Sequence, residues 1–330
     1  MRLPCRLVLV WAALSLWLVP DVVLAQAAPK VVRLGYLSAG GRTPDGGPPR
    51  PFREGLSTLG YVEGRGIAYE TRFAEGKLDR LPALAAELVR LNVDIIAAQG
   101  GLAVAAAARA TPTIPIVIVL SSGDAVATGL IASLARPGGN VTGMTDEVAQ
   151  LSAKRVEILK EAVPKATRIS VVWNRDDAGM TLRYREIERA AKAVNVEVHA
   201  HGVREPDDFQ HAFAEMSRRR PDALFVVADA LTILNRKQLL DFASTQRIPA
   251  MYEFGFIVRD GGLLSYGPSA DEEFRRAATF VDRIIKGAKP GDLPAEQPTR
   301  YYLSINRKTA AALGLTISPS LLIRADDVIE

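Results

Sequence analysis

Residues 129–143 read Gly-Leu-Ile-Ala-Ser-Leu-Ala-Arg-Pro-Gly-Gly-Asn-Val-Thr-Gly. Leu130, Ile131, Leu134 and Ala135 recur at helical spacing, which predicts a short helix with one apolar face. Pro137, Gly138 and Gly139 stop it: proline cannot donate into a continuing helix, and glycine takes the positive φ of a C-terminal cap. A strand over 141–144 follows. The same alternation extends on both sides. Apolar runs at 31–37, 67–73, 94–98 and 116–120 read as strands, with amphipathic helices at 51–59, 78–91 and 102–110. A second series has strands at 168–173, 196–201, 223–228 and 248–252, and helices at 147–162, 181–194, 206–219 and 235–246. Strands alternating with helices predict parallel sheets covered on both faces, and two series predict two α/β lobes. In the tail, 262–266 reads as a strand. Ser269 and Glu272 have capping-box spacing ahead of a helix over 271–286. Residues 290–298 read as a linker and 301–306 as a last strand.

The 129–143 string also resembles the hallmark of ABC-transporter substrate-binding proteins of the tryptophan/tyrosine type. Gly60-Tyr-Val-Glu-Gly64, Leu81-Pro-Ala-Leu-Ala-Ala-Glu-Leu88, Thr113-Ile-Pro-Ile-Val117, Gly262-Leu-Leu-Ser-Tyr-Gly-Pro268 and Ala311-Ala-Leu-Gly-Leu-Thr-Ile317 resemble that family in the same order. The resemblance implies a type I periplasmic-binding architecture: two Rossmann-like lobes joined by about three crossings, expected near residues 145, 255 and 292. The N-terminal lobe would then comprise 30–145 plus 255–291, and the C-terminal lobe 146–254 plus 292–330. It further implies a monomer that captures a small solute and delivers it to an ABC permease and its ATPase at the inner membrane. Family precedent points to an aromatic amino acid or related carboxylate.

The N-terminus supports export independently. Arg2 and Arg6 precede an apolar run over 7–19, and Val23 and Ala25 supply the small residues of a cleavage site. The run is shorter than the ~20 residues that span a bilayer. Residues 1–25 are therefore expected to be a cleaved signal peptide and the protein to be periplasmic. Cys5, the only cysteine, lies before the apolar core, so the chain is not expected to be a lipoprotein and the mature form has no disulfide. Composition is that of an ordinary globular protein, with 48% hydrophobic and 24% charged residues. The net charge of +4 falls to +3 once Arg2, Arg6 and Asp21 are removed. Such a weak, dispersed charge argues against nucleic acid as a partner. Arg218-Arg-Arg220 reads as the solvated end of a helix.

Ligands of open parallel sheets sit beyond the carboxyl ends of the strands. In the first lobe that rule selects Ser38, Gly100, Gly101, Asp124 and Thr128. In the second it selects Trp173, Asn174, Asp229, Tyr252 and Phe254, and Tyr266 follows the strand expected to return to the first lobe. Gly100-Gly101 opens a helix whose free N–H groups suit a carboxylate; many relatives have Thr-Pro where this chain has Gly101-Leu102. Asp229 suits a ligand ammonium, with a helix N-cap as its structural alternative. Trp173, Tyr252, Phe254 and Tyr266 suit flat apolar walls, with core packing as theirs. Ser38, Asp124 and Asn174 serve equally as turn or cap residues.

Enzymatic motifs are missing: there is no G-x-S-x-G elbow, H-E-x-x-H or P-loop. His199-Ala-His201 puts two imidazoles on one face of a strand without an evident third ligand, so no metal is expected. Gly35-Tyr-Leu-Ser-Ala-Gly40 is not a dinucleotide fingerprint, and no cofactor is expected. The sequence thus predicts a binding protein with no catalytic residues. A periplasmic sensor presenting its closed state to a membrane receptor or kinase would use the same cleft.

Overall fold

The computed structural model describes residues 31–120, 123–146 and 148–330; the expected signal peptide lies outside them. Among the described residues, thirteen strands form two sheets. The first sheet holds β1 (Val32–Ser38), β2 (Val62–Glu63), β3 (Gly66–Phe73), β4 (Ile95–Gln99), β5 (Ile116–Leu120) and β6 (Val141–Gly143), in the order β2-β3-β1-β4-β5-β6. The second holds β7 (Arg168–Asn174), β8 (Glu197–Val203), β9 (Ala223–Val226), β10 (Ala250–Tyr252), β11 (Leu264–Gly267), β12 (Tyr302–Asn306) and β13 (Asp327–Ile329), in the order β13-β12-β11-β10-β9-β7-β8. All pairings are parallel except β11 with β12.

Among the described residues, twelve α-helices cover the sheets: α1 (Arg50–Thr58), α2 (Leu81–Arg90), α3 (Gly101–Ala110), α4 (Val148–Ala162), α5 (Ala178–Ala193), α6 (Asp208–Arg218), α7 (Ala230–Leu234), α8 (Arg236–Thr245), α9 (Gly255–Arg259), α10 (Ala270–Ile285), α11 (Arg307–Ala312) and α12 (Pro319–Ile323). Period-two alternation sends successive strand residues to opposite faces. In β1, Leu34 and Tyr36 pack with Phe52 and Leu56 of α1 and Phe280 of α10, whereas Leu37 packs with Leu84 and Leu88 of α2. In β7, Val171 and Trp173 face α4 and α5, and Val172 faces α6 and α8. Each sheet is therefore buried on both faces, which is why its strands read as continuous apolar runs.

The 129–143 stretch corrects one expectation. Its first part forms turns and bends in place of the expected helix, and the expected strand is present as β6. The Asp124 carboxylate accepts from the N–H groups of Val126 and Ala127, and Gly129 then takes a φ of 74°. Backbone bonds run to other segments: Ala132 N–H to Pro137 O, and Ala295 N–H to Leu134 O. The apolar spacing still serves burial, since Ile131 joins the core of the first sheet. Gly143 has a φ of 126°, and a Cβ there would lie 2.4 Å from Ile118 O, so this position excludes any side chain.

The strand at 264–267 is a second correction. It pairs with β10 and β12 and so belongs to the second sheet, and the chain does not return to the first near 255. The return comes after Gly267, where α10 packs on α1 so closely that a Cβ at Gly55 would lie 2.9 Å from that of Ala278. Sheet membership depends on edge partners, which a buried apolar strand does not encode locally. The expected last strand at 301–306 is followed by β13, three residues too short to show a period.

Two of the crossings are bonded side by side, with Thr145 N–H donating to Glu296 O and Glu296 N–H to Gly143 O. A buried ionic chain ties the first crossing to the second, the return that follows Gly267. Arg183 of α5 bridges Asp146 and Glu253, and Arg155 of α4 donates to Glu253 at 2.9 Å and to Tyr266 O at 2.6 Å. None of the four side chains is more than 5% exposed. Removing one member of a buried ion pair leaves its partner uncompensated. Glu253→Gln is therefore expected to lower unfolding free energy by roughly 3–5 kcal/mol in urea titrations; a loss below about 1 kcal/mol would mean that the two guanidinium groups do not depend on this carboxylate.

Candidate binding cavity between the two sheets

The strand ends of both sheets face a cavity of about 260 Å³. From the first sheet's side come Ser38, Gly40, Gly41 and Thr43 after β1, Leu78, Gln99 at the end of β4, and Gly100 to Leu102 at the start of α3. From the second come Asp177, Met180, Ala228 to Ala230, Ile233, Leu234 and Phe254. Among the described residues lining it there is no lysine, arginine or histidine.

The two carboxylates are placed by helix starts. Asp177 is the N-cap of α5: its Oδ1 accepts from Gly179 N–H at 2.8 Å and Met180 N–H at 3.3 Å. Its Oδ2 has no hydrogen-bond partner among the described residues, although the residue is only 5% exposed. Asp229 caps α7, with Oδ1 accepting from Thr232 N–H at 2.9 Å and Oδ2 from the Asn174 amide at 2.7 Å. Burial pushes the Asp177 carboxyl up from 3.8 to about 6, with the Asp229 charge adding to it. Burial also raises Asp229, against the hydrogen bonds from Thr232 and Asn174.

Facing them, α3 begins at Gly100, whose φ is 91°, with no side chain capping its first N–H groups. Gln99 is oriented by the Tyr36 hydroxyl, which donates to its carbonyl oxygen. Burial raises the Tyr36 hydroxyl well above its ordinary value, keeping it a donor.

Five expected residues line this cavity: Ser38, Gly100, Gly101, Asp229 and Phe254. Asn174 is buried behind Asp229 and holds it. The others lie elsewhere. Asp124 caps the turn described above and Thr128 Oγ1 donates back to Asp124 O. Trp173 stacks on Tyr184 at 3.9 Å within the core. Tyr252 is wholly buried, with its hydroxyl unpartnered among the described residues, and Tyr266 packs against Tyr301. These aromatics end strands, as expected, but their rings turn into the helix layers. Asp177 was not among the expected residues; the Asp-Asp pair at 176–177 ahead of a helix is the sequence signal for it. His199 and His201 bond to Glu197 and Ser170 respectively, and among the described residues no group of three or more His, Cys, Asp or Glu is arranged to hold a metal.

Two mainly parallel α/β sheets opposed across a cavity define the type I periplasmic-binding-protein class. Residues 50–329 match the family described as ABC transporter substrate binding protein, and the chain belongs to that family. A tyrosine-binding protein of Clostridioides difficile is 26% identical over 264 residues, covering 80% of this chain and 75% of that protein. The crystal structure of an ABC domain in complex with L-Trp from Streptococcus pneumonia matches with a TM-score of 0.84 at 22% identity, over 91% of this chain and all of that one. A ligand-free, open substrate binding protein from Clostridium difficile matches with a TM-score of 0.64 at 23% identity, over 91% of this chain and 99% of that one. No described helix is long and apolar enough to cross a membrane.

The Asp177 carboxyl gives the site a stability signature. A carboxyl raised above its unfolded value penalises the fold at neutral pH, and the penalty fades as pH falls through about 6 toward 3.8. Asparagine is as good an N-cap as aspartate. Ligand-free Asp177→Asn is therefore expected to be more stable than the parent by roughly 2–3 kcal/mol at about pH 8, with the gap closing near pH 4. Urea unfolding at both pH values checks this; a gap independent of pH would show that the Asp177 charge is not buried at a cost.

Proposed function

We propose that this chain is the monomeric solute receptor of an ABC importer. It is exported, cut after Ala25, and captures a small amino-bearing molecule with an apolar body, of the amino-acid kind, in the cavity between its two sheets. It then passes that molecule to a membrane permease driven by an ATPase. The observation that carries the ligand class is the cavity wall itself. Asp177 and Asp229 are its only charged side chains among the described residues, and the rest is mostly apolar.

A ligand ammonium meets the two carboxylates, each charge-assisted bond contributing about 1.5–3 kcal/mol. A carboxylate, on a ligand that carries one, meets the uncapped N–H groups at the start of α3, where the helix dipole favours an anion. The body packs on Leu78, Met180, Ile233 and Phe254. Asn174 fixes the Asp229 carboxylate, so the acceptor is oriented before the ligand arrives. Names of relatives agree with this class: one binds tyrosine and one was crystallised with L-Trp. Because both lobes contribute walls, a ligand touching both favours the shut form by its contacts with each, and hinge closure follows from that difference in affinity.

The experiment is small-angle scattering with and without saturating tyrosine, tryptophan or phenylalanine, alongside a melting curve. The radius of gyration is expected to fall and the melting temperature to rise with at least one of them. A ligand that raises the melting temperature without compaction would place its site outside the cleft. Mass spectrometry of the exported form is expected to give a chain beginning at Gln26; a mass that retains Met1 would overturn cleavage.

A further inference from the structure

We infer that the cavity selects a net cation, an apolar primary amine lacking a carboxylate, over the corresponding zwitterionic amino acid. This rests on the proposed cleft site and concerns the charge of its ligand.

The argument is one of charge balance. Asp177 and Asp229 enter the same cavity, close enough that the charge of one acts on the other. No basic side chain among the described lining residues offsets them. A neighbouring recess shares Leu78 and Leu102 with the cavity and holds Lys77, Arg109 and Arg204, but an equal number of acids, Asp79, Asp176 and Glu205, accompanies them there. On the other wall the groups offered to an anion are neutral donors, the backbone at Gly101 and Leu102 and the Gln99 amide; the hydroxyl protons of Ser38 and Thr43 already go to Gln99 Oε1 and Gly47 O. A helix start carries about half a unit of positive charge, against two full negative charges opposite. A zwitterion brings in a third carboxylate and leaves that imbalance in place, whereas an amine removes one charge from it.

Geometry assigns the recognising atom. Oδ2 of Asp177 is the carboxylate oxygen in this wall left without a hydrogen-bond partner among the described residues, since both oxygens of Asp229 are taken by Thr232 and Asn174. The residue as a whole is only 5% exposed, so this oxygen opens toward the cavity from an otherwise buried side chain. A primary ammonium has three donors. One reaches Asp177 Oδ2, and the others share the acceptor capacity left on Asp229.

Titration calorimetry of the purified protein with matched probes tests this: tyramine against tyrosine, phenethylamine against phenylalanine, and 3-phenylpropanoate as the acid without an amine. Each amine is expected to bind at least about tenfold tighter than its amino acid, the margin of one charge-assisted contact, and 3-phenylpropanoate to give no heat. Asp177→Asn, which keeps the cap and the shape, is expected to weaken amine binding at least about tenfold while narrowing the amine-to-amino-acid ratio. Amino acids binding as tightly as their amines, or a ratio unchanged in Asp177→Asn, would overturn the charge selection and leave the cleft site standing. No binding by either amine would overturn it as well. Binding of any probe that persists unchanged in Ile233→Trp, which fills the cavity, would overturn the cleft site itself.

Discussion

The rest of the molecule depends on the chain of alternating charge that runs Asp146, Arg183, Glu253, Arg155. Two guanidinium groups and two carboxylates are removed from water together, so each is tolerated only because its neighbours are present. The planar fork of arginine lets one side chain hold two partners in fixed directions. Arg183 uses it to join a crossing segment to the loop after β10, and Arg155 to join that loop to the Tyr266 carbonyl. The packing around this chain leaves no slack: a Cβ at Gly267 would lie 2.0 Å from Glu253 O. The relative placement of the strand ends, and with it the shape of the cavity, follows from these contacts.

The cavity is built almost entirely from the beginnings of helices. α3 presents bare N–H groups, α5 and α7 present the carboxylates that cap them. Two acids in one apolar wall, one with an oxygen unpartnered among the described residues, is a poor arrangement for the ligand-free fold and, on the proposed function, a good one for meeting a positive charge. Stability lost where a partner is awaited is a common feature of binding sites.

The two-sheet architecture was readable because the central strands are buried on both faces and the long helices on one, and burial writes itself into apolar periodicity. The ends of β1, β4 and β9 were readable for the same reason, which is why Ser38, Gly100, Gly101 and Asp229 fall on the cavity. What was not readable depends on partners distant in sequence. The strand at 264–267 looks alike whether it joins the first sheet or the second. The apolar spacing at 130–135 is satisfied equally by a helix or by turns whose backbone bonds run to residues 137 and 295. Trp173, Tyr252 and Tyr266 stand at strand ends, but whether a ring turns into the cavity or the helix layer is fixed by a single alternation of the pleat. Asp177 was hidden by its ordinary local role as a cap, which says nothing of where its second oxygen points.

Across the mouth of the cleft the two halves touch at residues with almost nothing to offer. A Cβ on Gly123 would come within 3.3 Å of Gly179 Cα, and Leu234 fits against Gly41 and Gly76. Backbone against backbone and one leucine side chain bring little apolar area and no charge, so these contacts themselves contribute little to staying shut. On the proposed function, the shape of the protein is thereby made into information: with weak lips, whether the mouth is shut would report chiefly whether something is held inside.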